Sequence, residues 1–191
     1  MTSLTSTQVA NEAIQLIGDN TPLVTGVAPN FDTSPAGIAL AQIYAPTVAE
    51  VMRMFQWDQS RKEASMTLTG NTAPFPWAYE YYFPSDGVQI WQVAPATLTD
   101  PFDPLPVNWS VGNDVVSGAQ VKCVFANIAG AKVIYNNNPV ESTWDPSFTE
   151  AVVRMLAAKL AMAIGGRTDT AESLTQSGAQ FEQLAETKGD V

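Results

Sequence analysis

The side chains able to do chemistry are few, and their gaps exclude much. The chain contains no histidine. Ser-His-Asp and Cys-His nucleophiles are therefore excluded, and so are His-ligated metals. Cys123 is the only cysteine. It lies in Val-Lys-Cys-Val-Phe and reads as a buried strand thiol with no base to activate it. It can form no intrachain disulfide, so nothing signals an oxidising compartment. No Gly-rich loop of dinucleotide or Walker type is present. Carboxylates remain. Glu12 with Asp19, and Asp58 with Glu63, are close enough in sequence to suggest acid–base work on a glycoside. A chain with 19 acidic residues contains such pairs by chance. The last candidates are aromatic. Trp77, Tyr79, Tyr81 and Phe83 recur at every second position and could stack bases or sugars. Beside a Pro-bounded turn, such residues more often pack an interface between layers. Trp57 and Trp144 are candidates for the same role. No catalytic, cofactor or metal site is assigned.

The element that must carry these aromatics is a strand. Side chains alternate along extended backbone, so Trp77, Tyr79, Tyr81 and Phe83 share one face, and Ala78, Glu80 and Tyr82 the other. Pro84 cannot donate to a ladder and stops the strand. Ser85-Asp86-Gly87 has turn chemistry. Val88, Ile90 and Val93 then mark a second extended run. The expectation is an aromatic strand, a tight corner and a return strand, hinging a helical layer to a β layer.

The flanking segments read as helices. The first runs from Thr5 to Gly18, capped by Ser6 or Thr5 and ended by Gly18. Val9, Ala13, Leu16 and Ile17 line one face, with Ala10 and Ile14 beside them. Asp19 to Phe31 reads as loop. The second helix opens at Asp32-Thr33-Ser34-Pro35 and carries Leu40, Tyr44, Val48, Val51 and Phe55 on one stripe, reaching Trp57. Pro46 implies a kink or a junction of two helices. Asp58 to Glu63 reads as solvated. Trp144-Asp145-Pro146 opens a third helix, in which Phe148, Val152, Met155 and Leu156 share a face and alanines fill much of the rest. Lys159 must snorkel or meet a carboxylate there. Gly165-Gly166 ends it, and Asp169 or Thr170 caps a polar final helix with Leu174, Phe181 and Leu184. The middle reads as an antiparallel meander of short strands. Its members are Val107–Val111, a Gly112-Asn113-Asp114 turn into Val115-Val116, Val121–Phe125 and Lys132–Tyr135. Ala94 to Pro106, with four prolines, reads as a surface excursion. The fold class is α+β: one domain over 1–191, with a helical layer at 5–57 and 145–187 and a β-rich insertion at about 75–136.

Bulk properties bound the partners. Charged residues are 15% of the chain, a thin covering that points to an oligomer, against a monomer whose surface is rich in Ser, Thr, Asn and Gln. The net charge is −10, and the nine basic residues form no patch in sequence. A specific nucleic-acid reader is therefore not expected. An acidic conduit could still surround DNA without gripping it. The first residues lack the pattern of a signal peptide, and the most apolar helix holds Arg154 and Lys159. The expectation is a soluble protein made in a cytoplasm, with no membrane partner.

Several motifs together carry a resemblance. They are Val9-Ala10-Asn11-Glu12-Ala13-Ile14-Gln15-Leu16-Ile17-Gly18; Tyr44-Ala45-Pro46-Thr47-Val48; Phe55-Gln56-Trp57 with Arg61; Trp77-Ala78-Tyr79-Glu80-Tyr81 and Phe83-Pro84-Ser85-Asp86-Gly87; and Trp144-Asp145-Pro146-Ser147-Phe148 with Leu156-Ala157 and Leu160-Ala161. In order and spacing the chain resembles the head-to-tail connector, or adaptor, proteins of tailed bacteriophages, including the tail tubular protein A and tail accessory factor groups. It departs from their pattern at Phe83, where Leu is usual, and at Ala64, where a larger apolar residue is common. The resemblance implies a non-enzymatic, homo-oligomeric, dodecameric ring beneath the portal protein in the virion neck, assembled in the host cytoplasm. It implies a DNA channel and a platform for a downstream tail or nozzle protein. It also implies that the C-terminal region reaches the portal, which makes Gln180, Phe181, Leu184, Lys188 and Val191 the candidate docking segment. The alternatives are a virion-associated peptidoglycan hydrolase and a carbohydrate- or protein-binding module.

Overall fold

The computed structural model describes residues 4–18, 21–97 and 107–165. The protein is mixed α+β, with three α-helices and antiparallel sheets among these residues. The chain divides into two compact units, one of Met1–Phe55 with Pro139–Val191, the other of Gln56–Asn138.

In the first unit the helices are α1 (Ser6–Ile17), α2 (Pro35–Met54) and α3 (Pro146–Gly165). Each begins where a short polar side chain can serve an unpaired N–H. Thr5 caps α1: its hydroxyl accepts Gln8 N–H at 3.3 Å, and Gln8 Oε1 accepts Thr5 N–H at 2.9 Å. Gly18 ends α1 in the left-handed region, at φ 69°. Ser34 caps α2, its Oγ accepting Gly37 N–H at 3.0 Å. Asp145 caps α3, its Oδ1 accepting Phe148 N–H at 2.7 Å.

Helix α3 packs on both α1 and α2. Its Phe148, Val152, Leu156 and Leu160 are fully buried, together with Val9, Ala13 and Ile14 of α1 and Leu40, Val51 and Met52 of α2. Each such large side chain contributes about 1.5–3 kcal/mol by leaving water. Lys159 meets a carboxylate, forming an ion pair with Glu50 of α2.

Three expectations change here. Leu16 is 42% exposed and is not part of the packed face of α1. Helix α2 is one helix with Pro46 inside it, and it ends at Met54, where Phe55 turns extended at φ −138°, ψ 160°. The segment read as loop before α2 holds a two-residue ladder, β1 (Gly26–Val27) with β2 (Asn30–Phe31). The Phe31 ring meets Tyr44 edge-on, with centroids 5.8 Å apart.

Among the described residues the second unit has six strands: β3 (Arg61–Ser65), β4 (Tyr79–Tyr82), β5 (Gly87–Pro95), β6 (Trp109–Val116), β7 (Ala119–Ala126) and β8 (Ala131–Asn137). They form two antiparallel three-stranded sheets, ordered β3-β8-β5 and β4-β7-β6. The core draws on both sheets: Tyr81, Val124 and Ala126 from one, and Ile90, Val93, Ala131, Val133 and Tyr135 from the other. Past β3 the chain changes sheets. Met66 N–H donates to Ala131 O, after which Tyr82 N–H donates to Thr67 O and Thr69 N–H to Glu80 O.

This topology corrects the expected strand–corner–return unit. β4 pairs with β7 and β5 with β8, so the two neighbours in sequence lie in different sheets. A continuous meander would also pair β7 with β8, whereas among the described residues the only consecutive pair within the two sheets is β6 with β7. Its two-residue loop, Ser117-Gly118, has φ of 52° and 82° and so follows the strand twist. The turn expected at Gly112-Asn113-Asp114 is instead the middle of β6. Gly112 lies under the Phe125 ring, and a Cβ there would meet Phe125 Cε2 at 2.7 Å. Arg61 to Glu63, read as solvated, begin β3. An edge strand carries charge readily, so hydrophobic alternation could not reveal it. In β5, Ile90 and Val93 are three apart yet both face the core, because a bulge between Ile90 and Gln92 shifts the register.

Candidate functional site

The aromatic stretch remains the natural place to look for a site. Tyr81 is fully buried and donates from its hydroxyl to Ile128 O at 2.6 Å. Tyr79 and Phe83 pack against the same core. Lys122 Nζ lies 3.7 Å from the Phe83 ring centroid, a cation–π contact. Trp77 departs from the expected face. Its N–H donates to Pro74 O, so the chain is still turning at Trp77 and period-two alternation starts only with β4. The indole joins Val116, Cys123 and Phe125 instead. Trp57 is buried in the β unit, and its carbonyl accepts the N–H and hydroxyl of Ser60 at 3.0 and 2.8 Å. Trp144 belongs to the helical unit. Its Nε1 donates to Pro139 O at 3.1 Å, and its ring stands edge-on to Phe148 at 4.8 Å. The six aromatics therefore divide between the units and form no single exposed stacking platform. The candidate docking residues Gln180, Phe181, Leu184, Lys188 and Val191 lie outside the described residues.

Glu63 is paired with Arg61 at 3.2 Å, Asp58 sits in a short 3-10 turn, and Asp19 is outside the described residues. A different polar group was missed. Glu80, 1% exposed, projects from β4 opposite Tyr79 and Tyr81, and its Oε1 accepts the Cys123 thiol at 3.5 Å. Asp114 completes the group from β6. It accepts Val115 N–H at 2.8 Å and Asn71 Nδ2 at 3.1 Å. These two bonds, the backbone one foremost, hold its carboxyl below the usual range. Burial, and then the bond to Glu80, push the Cys123 thiol up to about 11. Such a thiol stays protonated at neutral pH and is a poor nucleophile. The sequence held one signal of this group: Glu80 alternates with two tyrosines. Asp114 carried none, because its Gly-Asn-Asp setting imitates a turn.

A second polar knot ties the other sheet. Asp86 accepts Lys62 Nζ at 2.6 Å and the Tyr135 hydroxyl at 2.9 Å. The Lys62 bond, chiefly, lowers the Asp86 carboxyl, while burial and then Asp86 raise Tyr135 to about 12. Both knots join segments distant in sequence. Among the described residues, no three Cys, Asp or Glu side chains gather in a metal-binding group, and no helix is long and apolar enough to cross a membrane. No protein-family model matches this chain, and no curated protein matches it.

Proposed function

We propose that the protein is a head-to-tail adaptor of a tailed bacteriophage. Copies form a ring, dodecameric by resemblance, beneath the portal protein in the virion neck. The ring extends the DNA channel and offers a platform to a tail or nozzle protein. Its architecture in this reading is a helical bundle built from both ends of the chain, with a β insertion between. The observation that carries the reading is the division of the chain, in which Met1–Phe55 and Pro139–Val191 make one unit around an intervening Gln56–Asn138. The motifs behind the resemblance also occupy working positions. Gly18 closes α1, and Asp145-Pro146 open α3 with a cap. The net charge of −10 suits a conduit through which DNA slides.

A reconstruction of the virion neck tests this directly. The expected result is density for the chain beneath the portal, and phage lacking the protein should fail to keep their genome and to gain a tail. A vertex without this polypeptide, or tailed and filled particles from the deletion, would end the proposal. Assembled rings should also release DNA at low salt. Clearing in a peptidoglycan zymogram would favour a hydrolase instead.

A further inference from the structure

The three-stranded sheets end at β3, β5, β4 and β6, and an end strand offers unpaired backbone groups to any other strand. Three of these edges are guarded. β3 carries Arg61, Lys62 and Glu63 in a row, and charge blunts an edge. β5 is broken by register shifts at Gly87/Gln89 and at Ile90/Gln92, and bulges have the same effect. β4 is covered, since Tyr82 N–H donates to Thr67 O and Thr69 N–H to Glu80 O. β6 differs. It runs in regular register from Trp109 opposite Ala126 to Val116 opposite Ala119. No charged side chain occurs from Trp109 to Asn113, and Val111 is exposed.

Two hydrogen bonds fix which groups of β6 point outward. Asn71 Nδ2 donates to Val115 O at 3.1 Å, from outside the β6–β7 pair. On β7, Phe83 N–H donates to Lys122 O, so Lys122, opposite Asn113, turns toward β4 and not toward β6. Outward-facing residues recur at every second position of an antiparallel strand. Val111, Asn113 and Val115 therefore turn both N–H and C=O to the free edge. Those of Val115 are taken, its N–H by Asp114 Oδ1 at 2.8 Å and its carbonyl by Asn71. Among the described residues no hydrogen bond meets those of Val111 and Asn113. The edge is thus sealed at one end and open beside it.

The occupant follows from this chemistry. It must be extended backbone, with an apolar or β-branched side chain opposite Val111. Asp114 stands at the sealed end. The Val115 N–H and then Asn71 hold its carboxyl below the usual range, so it is charged at neutral pH. With a net charge of −10 behind it, the edge attracts a basic segment and repels an acidic one, a second copy of this chain included.

We propose that the open edge of β6 accepts an extended, basic segment of a different protein as an added strand, with Val111 and Asn113 supplying the backbone bonds and Asp114 the charge. This inference rests on the sheet edges and not on the adaptor reading.

The test is a titration of the isotope-labelled full chain with the end-blocked peptide Lys-Val-Thr-Val-Thr-Lys. The Val111 and Asn113 amide resonances should move, and their hydrogen exchange should slow. Added salt should weaken binding. Val111→Pro removes an outward donor and no bond of the β6–β7 ladder, so it should weaken binding about tenfold. Asn113→Lys guards the edge with charge and should weaken binding at an unchanged melting temperature. If Val111→Pro fails to fold, Asn113→Lys decides. The proposal is overturned if the peptide at about 1 mM leaves both amides unmoved. It is also overturned if both variants bind like wild type, or if a peptide with Glu in place of Lys binds as tightly.

Discussion

The helical unit and the β unit place their polar side chains differently. At the helix N-termini the hydrogen bonds are short in sequence: Thr5 with Gln8, Ser34 with Gly37, Asp145 with Phe148, whereas the Lys159–Glu50 pair that joins α3 to α2 is the long-range exception. Each of these N-terminal bonds serves a backbone group that the helix itself leaves unpaired. In the β unit the polar side chains span long separations. Asn71 reaches Asp114, Tyr81 reaches Ile128, Lys62 reaches Asp86 and Asp86 reaches Tyr135. Helix ends are thus settled locally, whereas the sheets are fastened by groups that meet only after the strands pair.

Substitutions and one titration can break or sharpen this contrast. The largest effect should come from Phe148→Ala, which removes a fully buried ring and its edge-on contact with Trp144. About 3–5 kcal/mol should be lost in urea unfolding, with amide protection falling first in α1, α2 and α3. An equal fall throughout the β strands would erase the distinction between the units.

Gly37→Ala should come next, at about 2–3 kcal/mol. A Cβ at Gly37 would overlap the Asp32 carbonyl oxygen, which is backbone and cannot swing away. Gly112→Ala is its counterpart in the β unit and should cost less, about 1 kcal/mol, because there the obstacle is the Phe125 ring, which can tilt. The reverse order in paired melts would show that the cap loop of α2 is the more yielding site.

Tyr81→Phe should cost about 1–2 kcal/mol by leaving Ile128 O without its donor. A neutral result in denaturant titration would mean that this long-range bond adds nothing to the sheets.

The smallest effect is a titration. The Ser34 hydroxyl, foremost, with the Thr25 and Ser34 N–H groups, holds the Asp32 carboxyl at about 2, below its ordinary 3.8. Its folded-state value is the depressed one. Its stabilising contribution is therefore complete above the ordinary value and disappears as pH falls from about 4 toward 2. Thermal melts across that window should show the loss, and Asp32→Asn should remove this part of the pH dependence. Parallel curves for the two proteins would contradict the assignment.

The same contrast explains what could be read beforehand. The start of α1, the capped start of α3 and the need of Lys159 either to snorkel or to meet a carboxylate were legible, because each depends on residues within a turn or on a charge that cannot be buried alone. Leu16 misled, since a helix face can be apolar without being covered. The β strands were partly located but wrongly paired. Gly112 imitates a turn because its requirement for a missing Cβ comes from Phe125 on another strand. Trp77 fell on the wrong side because a turn at Pro74 delays the alternation. Charged Arg61, Lys62 and Glu63 concealed β3. The polar group of Glu80, Asp114 and Cys123 depends on β4, β6 and β7 together, and no local spacing encodes it.

The division of the chain also constrains its birth. As the polypeptide leaves the ribosome, α1 and α2 emerge first, and α3 follows only after the whole of Gln56–Asn138 has been made. Throughout that interval Val9, Leu40 and Val51 lack the surface that later covers them. The β unit holds all its own strands and can fold while translation continues. A nascent chain arrested before Pro139 should therefore carry uncovered α1 and α2 helices and a finished β unit, and chaperones should bind it at those helices.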